Sequence, residues 1–377
     1  MTPPVWIADD AVLAAHCAQW SLLAANGMPI AMDTEFVRET TFYPLPGLLQ
    51  LDVGGVQYLI DPLAINQWEP LKSLFSSDAP KVLHASGEDM EIFQLLLGSA
   101  PHPLYDTQVG AGLAGIGNGL GYQALVQQVL GVQVDKEHTR SNWLQRPLSA
   151  EQCHYAALDV AHLPPLFTLI AKRLTELGRF EWWREEGERA LRLSRSMPAP
   201  EDYYRKLSAG FRLRDRQVLA LKELCTWREQ AARERNVPRG RILKDAELLE
   251  IAKRMPKDNS QLARIPDLDP QRRNAQADSV LAILREVESA DESQIPPPVE
   301  PPLPREWGGR LNRLRDRVAE RAGELGVAPE ILARKRDCER LLLDRQLPEP
   351  LRGWRKSIIG DELLTLALEL TSKRDPA

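Results

Sequence analysis

The chain has 377 residues and a mass of 42.4 kDa, enough for two to four domains at about 100–200 residues each. Forty-three per cent apolar residues against 27% charged exclude a disordered chain, a collagen-like repeat and a disulfide-framed miniprotein. The net charge of −5 conceals a division. Residues 1–200 hold 13 Lys and Arg against 22 Asp and Glu, a net of −9, whereas residues 205–285 hold 19 against 11, a net of +8, which suggests separate electrostatic tasks.

Asp9 and Asp10 stand where a secretion signal would carry a basic flank, and no stretch approaches 18 uninterrupted apolar residues. Cys17, Cys153, Cys225 and Cys338 occur singly, without zinc or disulfide spacing. A cytoplasmic protein without membrane contact is expected. Strands are expected at 29–33, 48–53 and 56–60, the last two joined by a Gly54-Gly55 hairpin turn. A helix near 66–76, a strand at 81–85, a helical run Met90–Leu97 closed by Gly98, and a short strand at 104–106 follow. Beyond about 108 the pattern is mostly helical, and Ser149-Ala150-Glu151-Gln152 reads as a capping box that opens a helix running toward 162. The charged helix Glu181–Arg195 is broken at Met197-Pro198-Ala199-Pro200.

Residues 210–288 read as a compact helical unit with Leu219, Leu221, Leu224 and Trp227 on helical spacing. The proline-rich run 295–304 favours polyproline II and a semi-rigid spacer, and 306–373 is again helical. The expected fold class is an α/β N-terminal domain, a mixed sheet flanked by helices, followed by two small all-α domains. The expected boundaries are 1–195, 208–290 and 306–377, with a linker at 291–305.

Three acidic motifs carry the chemistry. Asp33-Thr34-Glu35 ends an apolar strand, where residues i and i+2 point to one side. Side-by-side carboxylates raise each other's pKa unless a cation neutralises them, and hard oxygen ligands suit Mg²⁺ or Mn²⁺. His84-Ala85-Ser86-Gly87-Glu88-Asp89 repeats the theme at a strand end, although Glu88 or Asp89 alone would be ordinary first-turn acids. His84 itself reads as a structural strand-end residue. Tyr155 and Asp159, spaced i and i+4, share a helix face. Asp33, Glu35, Asp89 and Asp159 together form the complement needed to hold two divalent metal ions for phosphodiester hydrolysis, with Tyr155 placed to orient water.

These motifs resemble the three exonuclease motifs of the DEDD superfamily, tyrosine-bearing branch, and within it the ribonuclease D family. Thr41-Phe42-Tyr43-Pro44, Asp106-Thr107-Gln108, Asp135-Lys136 and Arg140-Ser141-x-Trp143-Leu144-x-Arg146-Pro147-Leu148 extend the similarity over roughly 5–190. Asn142, where an acidic residue is more usual, and Pro46 depart from the pattern. The resemblance implies an RNase H-like sheet with the site at its strand ends. It further implies that Asp33 bridges both metals, that Glu35 and Asp159 complete one site, and that Asp89 binds the other through water.

The stretch from Leu219 to Ala252 looks like an HRDC domain, and 306–373 more faintly resembles a second copy. Arg212, Arg214, Arg216, Arg233, Arg235, Arg239 and Arg241 suit a sequence-independent grip on phosphates. His138 and Arg140 could meet a substrate backbone, and Trp182-Trp183 should pack the first domain on the tail. The expected protein is a metal-dependent 3′-to-5′ exoribonuclease releasing nucleoside 5′-monophosphates from single-stranded RNA 3′ ends, with tRNA precursors as substrate and no obligate protein partner. A 3′-to-5′ DNA exonuclease and a catalytically inactive nucleic-acid-binding adaptor are the alternatives.

Overall fold

Short strands alternate with helices through the first hundred residues, and the strands join in one six-stranded sheet. The computed structural model describes residues 3–134, 141–195 and 198–372. In chain order the elements are β1 (Val5–Ile7), α1 (Asp10–Ala25), β2 (Ile30–Val37), β3 (Leu45–Val53), β4 (Val56–Ile60), α2 (Glu69–Phe75), β5 (Lys81–Leu83), α3 (Asp89–Leu97) and β6 (Leu104–Asp106). The sheet order is β1-β4-β3-β2-β5-β6, with β1/β4, β2/β5 and β5/β6 parallel and β3/β4 antiparallel. Gly54 and Gly55 both take positive φ, +68° and +82°, as the expected tight hairpin requires.

Two elements lie outside the sequence-based expectation. Edge strand β1 is only three residues long, and α1 is set by Asp9, whose side chain accepts from the amides of Ala11 and Val12. Helix α2 starts at Glu69 rather than near 66, because the amides of Asn66 and Gln67 donate instead to Asp10 Oδ1, at 2.9 and 3.1 Å.

The chain continues through α4 (Thr107–Leu113), α5 (Tyr122–Leu130), α6 (Ala150–Ala161), α7 (Leu163–Glu176) and α8 (Phe180–Arg195). Helix α6 opens with the expected capping box: Ser149 and Gln152 exchange backbone-to-side-chain bonds. A helical region follows, comprising α9 (Arg216–Glu234), α10 (Arg239–Ile242), α11 (Asp245–Arg254), α12 (Asn259–Ala263) and α13 (Pro270–Ser289). The last region holds α14 (Gly308–Leu325), α15 (Pro329–Leu332), α16 (Lys335–Asp344) and α17 (Asp361–Ser372). A long helix, a single turn, a ten-residue helix and a closing helix thus occur in the same order in both regions.

By compactness the chain forms two units, one of residues 1–37, 46–196 and 303–377, the other of residues 38–45 and 197–302. In the first unit the C-terminal helices share an apolar core with the sheet-bearing part: Ile170, Leu174 and Trp183 cluster with Leu314, Leu341 and Leu363. Trp182 stacks on Trp354 at 4.4 Å and 9°, Glu185 accepts from the Trp354 amide, and Glu186 pairs with Arg355. Arg179 donates to the carbonyls of Leu113 and Leu325, at 2.9 and 2.6 Å. Both tryptophans pack as expected, Trp182 by stacking on Trp354 and Trp183 inside the core that the C-terminal helices share. Trp183 is fully buried and donates to the Asp106 carbonyl at 2.8 Å.

In the second unit α9 supplies the centre of the core through Val218, Leu219, Leu221 and Leu224. The proline-rich run is not a free spacer: Val299 is buried in this core and Tyr204 donates to the Pro297 carbonyl at 3.1 Å, whereas Leu303 packs against the core of the first unit. Prolines exclude helix but leave the intervening side chains able to pack.

Helix α8 lies so close to β6 that a Cβ at Gly187 would collide with the carbonyl oxygen of Leu104. Gly187→Ala should therefore destabilise the protein by about 1–3 kcal/mol, because a backbone oxygen cannot turn aside as a side chain can. A thermal melt of the variant beside the parent protein checks this.

Candidate metal centre

Strand β2 lies in the interior of the sheet, so its first residues Ile30, Ala31 and Met32 are fully buried and hold the strand rigidly. Past them, Asp33 and Glu35 are half-buried and Thr34 is buried, as two-residue alternation requires. Helix α6 presents Asp159 one turn beyond Tyr155. One carboxylate oxygen from each of Asp33, Glu35 and Asp159 lies within 4.8 Å of the others. Asp89, buried in the first turn of α3, stands beside this trio and accepts a hydrogen bond from the Thr34 hydroxyl.

The electrostatics follow from this crowding. Burial raises the Asp33 carboxyl well above its ordinary range, and the neighbouring Asp89, Asp159 and Glu35 raise it further. Burial and the same neighbours push Glu35 up to about 8. Burial lifts Asp159 to about 7 against a lowering hydrogen bond from Tyr155, and lifts Asp89 to about 6 against a lowering bond from Thr34. Tyr155 is held above the usual phenol range by burial and then by Asp159, so its hydroxyl stays protonated and acts as a donor. The dominant charges at the trio are negative, and hard oxygen donors at this spacing fit divalent cations.

Several residues brace the site. Asp106 accepts from the amides of Ala85 and Ser86, at 3.1 and 2.8 Å, and also caps α4. It fixes the turn after β5, where Ala85 takes φ +57°, and so aims α3 and Asp89. His84 lies within 2.9 Å of Thr107 Oγ1 and packs edge-on against Tyr122, which agrees with a structural role. Tyr122 in turn donates to the Leu158 carbonyl at 2.7 Å, next to Asp159. Thr34 and Tyr122 were not singled out in the sequence. Thr34 is visible there only as the middle of the acidic triplet, and Tyr122 gives no signal.

The Trp143–Arg146 stretch is a strut. Arg146 forks onto Asp61, at 2.7 and 2.6 Å, and reaches the Gly47 carbonyl, while Trp143 packs so tightly on Gly47 that no Cβ fits there. Asn142, the departure from the family pattern, accepts from the Leu144 amide at 3.2 Å within this stretch. Asp135, Lys136, His138 and Arg140 lie outside the described residues.

The seven arginines proposed for phosphate contact divide into two groups. Arg233 and Arg239 both bind Glu229, which is 1% exposed, and Arg216 donates to the Val287 carbonyl at 2.6 Å. The guanidinium groups of these three already have partners inside the unit. Arg212, Arg214, Arg235 and Arg241 are exposed.

A mixed sheet that brings strand-end and helical carboxylates together, followed by a helical region, defines a nuclease domain with an accessory module. The 3′-5′ exonuclease family profile matches residues 4–175 and the HRDC domain profile residues 218–284. Ribonuclease D from Pseudomonas paraeruginosa is 41% identical, with 97% of each chain covered, and that from Xanthomonas oryzae is 36% identical, with 96% of this chain and 98% of its own covered. The crystal structure of Escherichia coli RNase D, described as an exoribonuclease involved in structured RNA processing, superposes with a TM-score of 0.90 at 30% identity, covering 97% of this chain and 99% of that one. The chain belongs to the ribonuclease D family and is accordingly a 3′-to-5′ exoribonuclease dependent on divalent metal ions. Among the described residues no helix is long and apolar enough to cross a membrane.

The raised carboxylates give the metal-free protein a defined pH dependence. A carboxyl whose folded pKa exceeds its unfolded value near 4 leaves stability highest below that value and removes it as pH rises through the folded pKa. The values of about 6, 7 and 8 place the loss between about pH 4 and 8. In EDTA the melting temperature should fall across that range, and Asp33→Asn should reduce the fall.

Proposed function

We propose that the chain hydrolyses RNA one nucleotide at a time from single-stranded 3′ ends and releases nucleoside 5′-monophosphates, with tRNA precursors among its substrates. The reading rests on the carboxylates of Asp33, Glu35 and Asp159 meeting within 4.8 Å, with Asp89 beside them. Two divalent ions, Mg²⁺ or Mn²⁺, would be held by Asp33, Glu35, Asp159 and Asp89. When bound they would supply the positive charge that lets water attack a phosphodiester and the leaving oxygen depart.

The rest falls to the chain's own groups. Tyr155 keeps its proton and is hydrogen-bonded to Asp159, so it positions the attacking water rather than taking its proton. Thr34 steadies Asp89. Arg212, Arg214, Arg235 and Arg241 offer exposed positive charge to phosphates without reading sequence. Along the sequence the chain reads as an exonuclease part (1–195), a first HRDC-like region (208–290), a connecting run (291–305) and a second HRDC-like copy (306–377) whose helices share the core of the exonuclease part. A cytoplasmic location fits four free cysteines, three of them buried.

With a 5′-labelled RNA oligomer, stepwise shortening should stop in EDTA and in Asp33→Ala protein. Activity persisting in either would contradict the assignment, and equal degradation of a matched DNA would favour the broader nuclease reading. Tyr155→Phe should lower kcat on the order of 10²-fold with KM little changed, as expected when a reacting water loses its orientation.

Binding measured across salt concentrations separates the arginines. Each substitution to Ala at 212, 214, 235 or 241 that removes a phosphate contact should reduce the salt slope by about 1. Arg233→Ala should leave that slope unchanged.

A further inference from the structure

The connection between β2 and β3, residues 38–45, belongs to the helical unit rather than to the sheet that it joins. Three devices hold it there. The amides of Phe42 and Tyr43 both donate to Asn236 Oδ1, at 3.0 and 3.1 Å. The Phe42 ring is buried against Ala231, Ala232 and Ile242. The Arg239 guanidinium lies between the rings of Phe42 and Tyr203, at 4.7 and 4.6 Å, while pairing with buried Glu229.

Each device is specific in its chemistry. Asn236 sits at φ +48°, which asparagine tolerates far better than most residues, and one side-chain oxygen there accepts two consecutive backbone amides. Arg239 uses its flat face on two aromatic rings and its edge on a carboxylate, a combination that lysine cannot reproduce. Glu229 is also paired with Arg233, so the anchor beneath Arg239 is itself fixed.

The held segment begins where β2 ends, and its first clamped amide, that of Phe42, lies seven positions beyond Glu35 and nine beyond Asp33. We propose that Asn236 and Arg239 are positioning residues for hydrolysis: by clamping the segment that leaves β2, they fix the strand end from which Asp33 and Glu35 project. The helical unit then contributes to the chemical step through the chain it grips, apart from any contact its exposed arginines make with phosphates. A displaced carboxylate costs rate steeply, since misplacement by about 1 Å can cost on the order of 10²-fold.

The test compares full-length variants in single-turnover and steady-state hydrolysis of a 5′-labelled RNA, with binding measured across salt concentrations and folding followed by thermal melting. Asn236→Gly accepts the positive φ but removes the acceptor. It should lower kcat about tenfold or more while KM and the salt slope stay within about twofold of the parent. Asn236→Asp keeps both the oxygen and the tolerance of φ and should restore most of kcat. Arg239→Gln should likewise lower kcat with the salt slope unchanged. Unchanged kcat in Asn236→Gly, or failure of Asn236→Asp to restore activity in folded protein, would overturn the proposal. So would a salt slope reduced by about 1 with normal kcat in Arg239→Gln, which would make Arg239 a phosphate contact. If Arg239→Gln does not fold, the Asn236 pair decides.

Discussion

Carboxylates whose oxygens lie within 4.8 Å of one another repel, and burial denies them the water that would screen the repulsion. A folded chain keeps such a group only if rigid elements hold each member in place. Here Asp33 and Glu35 come from an interior strand whose buried start leaves it no room to shift, Asp159 from a helix opened by a reciprocal capping box, and Asp89 from the first turn of α3. Thr34, Asp106 and Tyr122 secure the positions of Asp89 and of the backbone beside Asp159. Bound protons relieve the repulsion in the metal-free protein, and a divalent cation would relieve it in their place.

The helical parts divide differently from their order along the chain. The C-terminal helices share a core with the nuclease part, closed by the Trp182–Trp354 stack and the carboxylates of Glu185 and Glu186. The middle helices form a unit that includes residues 38–45. Two regions with the same helix order therefore serve different ends, one as part of the nuclease core and one as holder of the β2–β3 connection and bearer of exposed arginines.

Much of this was legible in the sequence. The hairpin at Gly54-Gly55, the capping box at Ser149 and the three acidic motifs are local signals, and each depends on residues close together in the chain. What was missed depends mostly on distant partners or on burial. Edge strand β1 is too short to show alternation and exists through its pairing with β4. Arg233 and Arg239 looked like free positive charge because nothing in their neighbourhood marks Glu229 as buried. Phe42 stands in a stretch that extends the family similarity, and nothing beside it in the chain marks Asn236, almost two hundred positions away, as the acceptor of its amide. Composition reveals that an arginine is present, and only the fold reveals what its guanidinium meets.

Proton counting on metal binding tests the crowded carboxylates most directly. Calorimetric titration of Mn²⁺ into metal-free protein near pH 7, repeated in buffers of different ionisation enthalpy, measures the protons released as the cation enters. Carboxyls raised to between about 6 and 8 should release protons on binding, and Asp33→Asn should weaken binding and diminish the release. Binding without proton release, or binding unaltered by Asp33→Asn, would contradict a cation site built from these side chains.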